Sequence, residues 1–200
     1  MRLDNAKQQL ATTRPNAKID VHYHPFMIDP ATQPDGEPYK AYNERRWGGD
    51  GWTNSMKRAG RQEGAPYAKW VTWPNTTHCS RLLMLAEKHS LGDAVVGRLY
   101  RACYEEGQNV SLRATVAKIA AEVGVPGGEE YINDTDEGLH ELQQELRNPT
   151  ANGKRVRAAP TFSLRVGSAS HTLSGAQEAA AWLDMLEQTA DYAEANAARR

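Results

Sequence analysis

The sequence predicts an α/β protein in which a strand-bearing unit is split around a helical insertion. Three observations lead there. A helical pattern passes straight into an alternating one near the start, helical patterns without strand signals fill most of 48–150, and a proline-led alternating run returns near the end, followed by a last helix. The expected parts are 1–47 (helix, strand, loop), 48–150 (helical insertion) and 151–200 (hairpin and helix).

Taken in order, Arg2 to Thr12 place Leu3, Ala6 and Leu10 at three- and four-residue steps, an amphipathic helix that ends before Pro15. From Ala17 to Ile28, Ile19, Val21 and Tyr23 alternate with Asp20, His22 and His24, the pattern of a strand. Asp29 to Glu37 is a proline-rich loop. Pro38 to Trp47 can form a helix, and a second starts after Gly48–Gly51 with Thr53 as its cap, running to about Gly60. Pro66 to Pro74 reads as an extended connection that packs Tyr67, Trp70 and Trp73.

Three well-signalled helices come next. Asn75 or Thr76 caps a run with Leu82, Leu83, Leu85 and Ala86; Gly92-Asp93 opens one with Val95, Leu99 and Cys103; Ser111 caps one with Val116, Ile119 and Ala120 that stops at Gly124. Thr135 to Leu146 adds a helix with Leu139, Leu142 and Leu146 inward, and a polar loop through Asn152-Gly153 follows.

In Pro160-Thr161-Phe162-Ser163-Leu164-Arg165-Val166 the apolar members share one face, a half-buried strand that turns at Gly167-Ser168 into a second strand from Ser170 to Leu173. Two readings of Pro160 stay open from the residues alone. A proline is tolerated at a strand's first residue, and an X-Pro bond is the one that adopts cis cheaply, as at the edge of a site. The last helix is expected from Gly175 through Trp182 and Leu186, with Asp191 to Arg200 as its polar tail.

Composition narrows the function classes. The 200 residues carry 24 Lys plus Arg against 25 Asp plus Glu, which gives no electrostatic footprint for nucleic acid or an anionic membrane, although Lys154, Arg155, Arg157 and Arg199-Arg200 are locally basic. No apolar run is long enough to cross a membrane and the first residues lack a signal peptide's apolar core, so the expected location is cytoplasmic. Cys79 and Cys103 are no disulfide framework. Both read as buried small hydrophobes, although Cys79 beside His78 near a helix start is the place where a lowered pKa is conceivable. His22 and His24, two apart on an expected strand, read as the polar face of a sheet, and no metal or nucleotide motif is present.

Five stretches, in order, carry a resemblance. Tyr23-His24-Pro25-Phe26-Met27-Ile28-Asp29-Pro30, Pro74-Asn75-Thr76 with Arg81-Leu82, Glu105-Glu106-Gly107-Gln108-Asn109-Val110-Ser111, Ala159-Pro160-Thr161-Phe162 and Ser174-Gly175-Ala176-Gln177 resemble words of the DsbA-like thioredoxin superfamily. The branch they are most similar to is the FrnE-like one, related to 2-hydroxychromene-2-carboxylate isomerases and kappa-class glutathione transferases. The resemblance implies a thioredoxin-like fold with an inserted helical subdomain and a cis-proline at Pro160, beside a substrate groove.

It also implies a C-x-x-C motif ahead of the first helix, where this chain begins at Met1. The expectation is therefore that the first strand of the thioredoxin core and the redox dithiol are missing, that no catalytic residue remains, and that the chain is inactive as it stands. The gap left by that strand could be met by further upstream residues, by a strand from another chain or by closure of the sheet. The first is preferred, because it disturbs nothing else in the pattern.

The substrate-binding residues implied are Ala159, Pro160, Thr161, Ser174 and Gly175, with Asn75 and Ser80 from the insertion. Ser80 stands where the family often has histidine. Ser174-Gly175 at a helix start offers free N–H groups, an anion site in principle, against the plainer reading of a helix cap. The expected partner is a thiol-containing peptide or protein, or glutathione, with no nucleic acid, no membrane, and a homodimer as the assembly allowed for. Alternative functions are a glutathione-dependent transferase or isomerase and a non-catalytic interaction domain.

Overall fold

Helix-forming periodicity in this chain is strong and local, and it dominates the computed structural model, which describes residues 2–197. The expected basic tail Arg199-Arg200 lies outside the described residues. In chain order the elements begin with α1 (Arg2–Thr13), β1 (Glu37–Pro38), α2 (Tyr39–Trp47), a 3₁₀ turn (Gly51–Thr53), α3 (Asn54–Glu63) and β2 (Thr72–Trp73). Then come α4 (Thr77–Glu87), α5 (Gly92–Tyr100) with a π-helical extension (Arg101–Glu105), α6 (Arg113–Val123), α7 (Gly128–Asn133) and α8 (Leu139–Arg147). The chain finishes with β3 (Thr150–Ala151), β4 (Lys154–Arg155), β5 (Thr161–Val166), β6 (Ala169–Ser174) and α9 (Ala179–Ala197).

The elements group into two units, one built from 1–21 and 148–200 and the other from His22–Arg147. Residues 22–47, expected with the first part, group instead with the helical insertion. The reason is aromatic packing: Tyr42 stacks on Trp73 with ring centroids 4.1 Å apart, and Tyr39 lies 4.6 Å from Trp70.

In the first unit, α1 buries Ala6 and Leu10 at i and i+4, and α9 answers with Trp182 and Leu186 at the same spacing. Phe162, Leu164 and Leu173 pack on this cluster from the β5–β6 hairpin, with Phe162 edge-on to Trp182 at 4.7 Å. Antiparallel pairing runs from Thr161↔Ser174 to Val166↔Ala169, and Gly167, at φ 54°, takes the first turn position that a II′ turn reserves for glycine. Arg14, just past α1, pairs with Asp191 and Glu194, so the expected polar tail of α9 is tied down over that stretch.

The polar loop expected at Asn152-Gly153 is the tip of a second hairpin. Asn152 and Gly153 take φ 51° and 74°, the left-handed pair of a I′ turn, and Thr150↔Arg155 and Ala151↔Lys154 pair across it. The Asn-Gly signal was present in the sequence, but strands of two residues leave no alternating pattern to frame it.

The strand expected over Ala17 to Ile28 does not form, and residues 17–28 enter no sheet. Alternation favours extended backbone, but a strand needs a hydrogen-bonded neighbour. Ala17 and Ile19 pack on the cluster of the first unit, whereas the Tyr23 N–H goes to the Glu87 carboxylate at 3.1 Å.

The second unit surrounds a core in which Tyr42, Leu82, Val95, Val116, Ile119 and Ile132 have no exposed surface. Of the two caps expected for α4, Asn75 does the work: its Oδ1 accepts from the Thr77 N–H and hydroxyl, whereas Thr76 makes no side-chain capping bond. Ser111 does not cap α6; its hydroxyl accepts the Asn75 N–H at 2.9 Å. Helix α7 had no sequence signal of its own, being six residues long. Helix α8 starts at Leu139 rather than Thr135, because the Asp134 carboxylate takes the N–H groups of Asp136 and Glu137 into a turn.

Candidate functional site: the mouth of the proline-led hairpin

Five of the seven expected site residues meet at the open end of the β5–β6 hairpin. The Ala159–Pro160 peptide bond is cis. The Pro160 carbonyl accepts the Gly175 N–H at 2.9 Å, Thr161 faces Ser174 across the ladder, and the Thr161 hydroxyl donates to the Ala158 carbonyl at 2.7 Å. Antiparallel pairs alternate between those that exchange hydrogen bonds and those that do not. With Pro160 bonded to Gly175, the main-chain groups of Thr161, Ser163 and Arg165 are the ones that point away from β6. Among the described residues β5 pairs only with β6.

Ser174 and Gly175 do not occupy a helix start. Helix α9 begins at Ala179, Gly175 adopts φ +88°, and the Gln177 side chain folds back to donate to the Gly175 carbonyl at 2.9 Å. Neither reading of Ser174-Gly175 as a helix start, cap or anion site, therefore applies, and the Gly175 N–H is spent on Pro160.

Asn75 and Ser80 belong to the other unit. Asn75 donates its amide to the Thr32 carbonyl at 3.0 Å and its backbone N–H to Ser111, and it accepts twice from Thr77, which commits the whole residue to joining loop and helix. Ser80 is buried within α4. Asn75 and Ser80 are thus grouped apart from the five residues at the hairpin.

Neither cysteine is poised for thiolate chemistry. Burial, with Cys103 nearby, pushes the Cys79 thiol up to about 12, and burial alone pushes Cys103 up to about 12. The Cys79 thiol donates to the Val110 carbonyl at 3.2 Å. The lowered pKa conceived for Cys79 is therefore reversed, because a thiolate gains nothing from a helix start when its surroundings are apolar. Its neighbour His78 is itself held below the usual imidazole range, by burial first and then by Arg81 and Arg113.

His22 and His24 are exposed on chain that joins no sheet, rather than on a sheet's polar face, and His22 Nδ1 lies 3.0 Å from Glu87 Oε2.

Sequence reasoning missed two residues that shape this region. Asn152 braces the polar face of the hairpin, donating to the His171 carbonyl and the Thr172 hydroxyl and accepting from the Ser163 hydroxyl and the Arg165 Nε. Gln177 locks the exit from β6. The Asn-Gly dipeptide could have flagged the first; the second stands in the stretch Ser174-Gly175-Ala176-Gln177, but its hydrogen bond to Gly175 is a tertiary detail.

Comparison with known proteins agrees with this architecture. No curated protein matches the chain in a sequence search. A family model, that of the DSBA-like thioredoxin domain, matches residues 1–187. The helix pair, the proline-led hairpin and the inserted helices are thus an α/β thioredoxin-like fold, and the chain belongs to the DSBA-like thioredoxin family.

Proposed function

We propose that these 200 residues form the peptide-receiving part of a thiol-disulfide oxidoreductase-like protein of the FrnE-like branch and do not themselves exchange disulfides. One observation carries this reading: β5, led by Pro160, pairs only with β6 among the described residues, while both thiols, Cys79 and Cys103, are buried and pushed to about 12. At neutral pH such a thiol is ionised in roughly one molecule per hundred thousand, and the thiolate is the species that attacks a disulfide. The ligand class is a thiol-bearing peptide or protein segment laid along Thr161 and Ser163. A cytoplasmic, reducing location agrees with two free cysteines, and no helix among the described residues is long and apolar enough to cross a membrane.

The glutathione-dependent alternative is the less favoured, since one of the donors it would use, the Gly175 N–H, bonds Pro160, and α9 starts only at Ala179. An insulin-reduction assay tests the main reading. The chain should add nothing to the rate seen with dithiothreitol alone, and Cys79→Ser and Cys103→Ser variants should match it. Turnover that disappears in Cys79→Ser would overturn it.

A further inference from the structure

The polar face of the β5–β6 hairpin carries side chains that the function above does not use. Ladder partners share a face, so Ser163 with Thr172 and Arg165 with Ser170 stand opposite Phe162, Leu164 and Leu173, which pack on the core of the first unit. All four polar residues are exposed.

One amide organises this face. Asn152 Oδ1, at the tip of the β3–β4 hairpin, accepts from Arg165 Nε at 2.9 Å and from the Ser163 hydroxyl at 2.6 Å, while its Nδ2 donates to the Thr172 hydroxyl oxygen at 2.9 Å. The Arg165 guanidinium and the Thr172 hydroxyl are therefore fixed at the two ends of a single side chain. Among the described residues, both Nη groups of Arg165 are left without a partner and the Thr172 hydroxyl proton without an acceptor. Pre-oriented donors with no carboxylate among them are suited to an oxyanion.

Neighbouring charge does not cancel this. Residues 148–177 hold Lys154, Arg155, Arg157 and Arg165 and no Asp or Glu, in a chain whose total is −1. None of the four makes an ion pair among the described residues. Lys154 pairs with Ala151 across the Asn152-Gly153 turn, which sets its backbone two residues from the amide that holds Arg165. The carboxylates of this unit are committed or lie on the other side. Glu178 pairs with Arg2, Asp191 and Glu194 pair with Arg14, and α9 packs against the apolar face of the hairpin through Trp182 on Phe162.

We propose that the polar face of β5–β6 beside Asn152 binds a phosphate group, the Arg165 fork taking two oxygens, Thr172 donating to a third and Lys154 adding charge. A carboxylate has two oxygens, which the fork alone satisfies, whereas the third oxygen and second charge of a phosphate use the hydroxyl and the unpaired cations. The apolar residues that could anchor a protein segment are on the opposite face, so the ligand is a small phosphate or phosphate ester.

Titration of the ¹⁵N-labelled full chain with inorganic phosphate, read by NMR at fixed ionic strength, tests this. The Arg165 Nε–H and the amides of Asn152 and Thr172 should shift and saturate, with acetate binding about tenfold more weakly or worse. O-phosphoserine separates the sources: equal affinity assigns the free ion, tighter binding an ester. Arg165→Gln should lose about tenfold and Arg165→Lys, which keeps the charge without the fork, most of that. Thr172→Val should lose about threefold. Lys154→Gln, outside β5 and β6, should lose about twofold and keeps the test independent of the hairpin's folding. Shifts that never saturate, acetate binding as tightly as phosphate, or parental affinity in both Arg165→Gln and Lys154→Gln would overturn the proposal.

Discussion

Arg81 Nη1 stands 3.2 Å from His78 Nδ1, and Arg81 has no exposed surface. Three more of its donors go to the carbonyls of Glu137, Tyr131 and Asp134, each at 2.8 Å. A guanidinium cannot accept, so His78 must accept through an unprotonated Nδ1. A protonated imidazole would put a second cation against a buried one.

Stability should therefore fall on the acid side of neutrality. His78 titrates below its unfolded value of 6.5, so the folded state resists the proton that the unfolded state takes up. The contribution is complete above the unfolded pKa and is lost as pH falls below it. Urea midpoints should drop between pH 8 and pH 5, and His78→Gln, which keeps an acceptor without titrating, should flatten that drop. The Asp134 carboxylate, held below its usual range by the N–H groups of Asp136 and Glu137, acts only at pH below 3.8 and leaves the window clear.

Gly138→Ala should destabilise the protein by about 1–3 kcal/mol. A Cβ there would come within 1.6 Å of the Tyr131 hydroxyl, and the backbone sits at φ +72°. Tyr131→Phe in the same chain should restore only part of the loss, since the Cβ would still lie 2.5 Å from the ring carbon that carried the hydroxyl and the backbone stays left-handed; thermal denaturation of both single variants and the double measures this.

Asn152→Gly keeps the left-handed turn and removes the side-chain brace, whereas Asn152→Ala removes both. Amide exchange in β5 and β6 should quicken in each, with Ala worse than Gly by about 1 kcal/mol. Equal protection in all three proteins would show that the Asn152 hydrogen bonds to Ser163, Arg165 and Thr172 contribute nothing to the hairpin.

Both cysteines should be silent toward Ellman's reagent in the native protein and react fully in guanidinium. Cys79 and Cys103 are 8% and 3% exposed. Rapid native labelling of either would contradict both their burial and the reading of the chain as unable to exchange disulfides by itself.

Helices were legible in the sequence because their logic is local: Ala6 and Leu10, or Leu82 and Ala86, lie four apart and need only one apolar surface to face. The same holds for the hairpin led by Pro160, whose two strands are joined by a turn of two residues and find each other without help. Nothing local could decide whether Ala17 to Ile28 pairs, since a strand's partner is a property of the fold; nor where α9 starts, which Gly175 and Gln177 settle by hydrogen bonds to Pro160 and back along the chain. Asn75 and Ser80 looked like site residues because their neighbours fit a pattern. Tertiary structure gave Asn75 to Thr32, Thr77 and Ser111, for a polar group withdrawn from water is satisfied by whatever packs against it, and it covered Ser80 within α4.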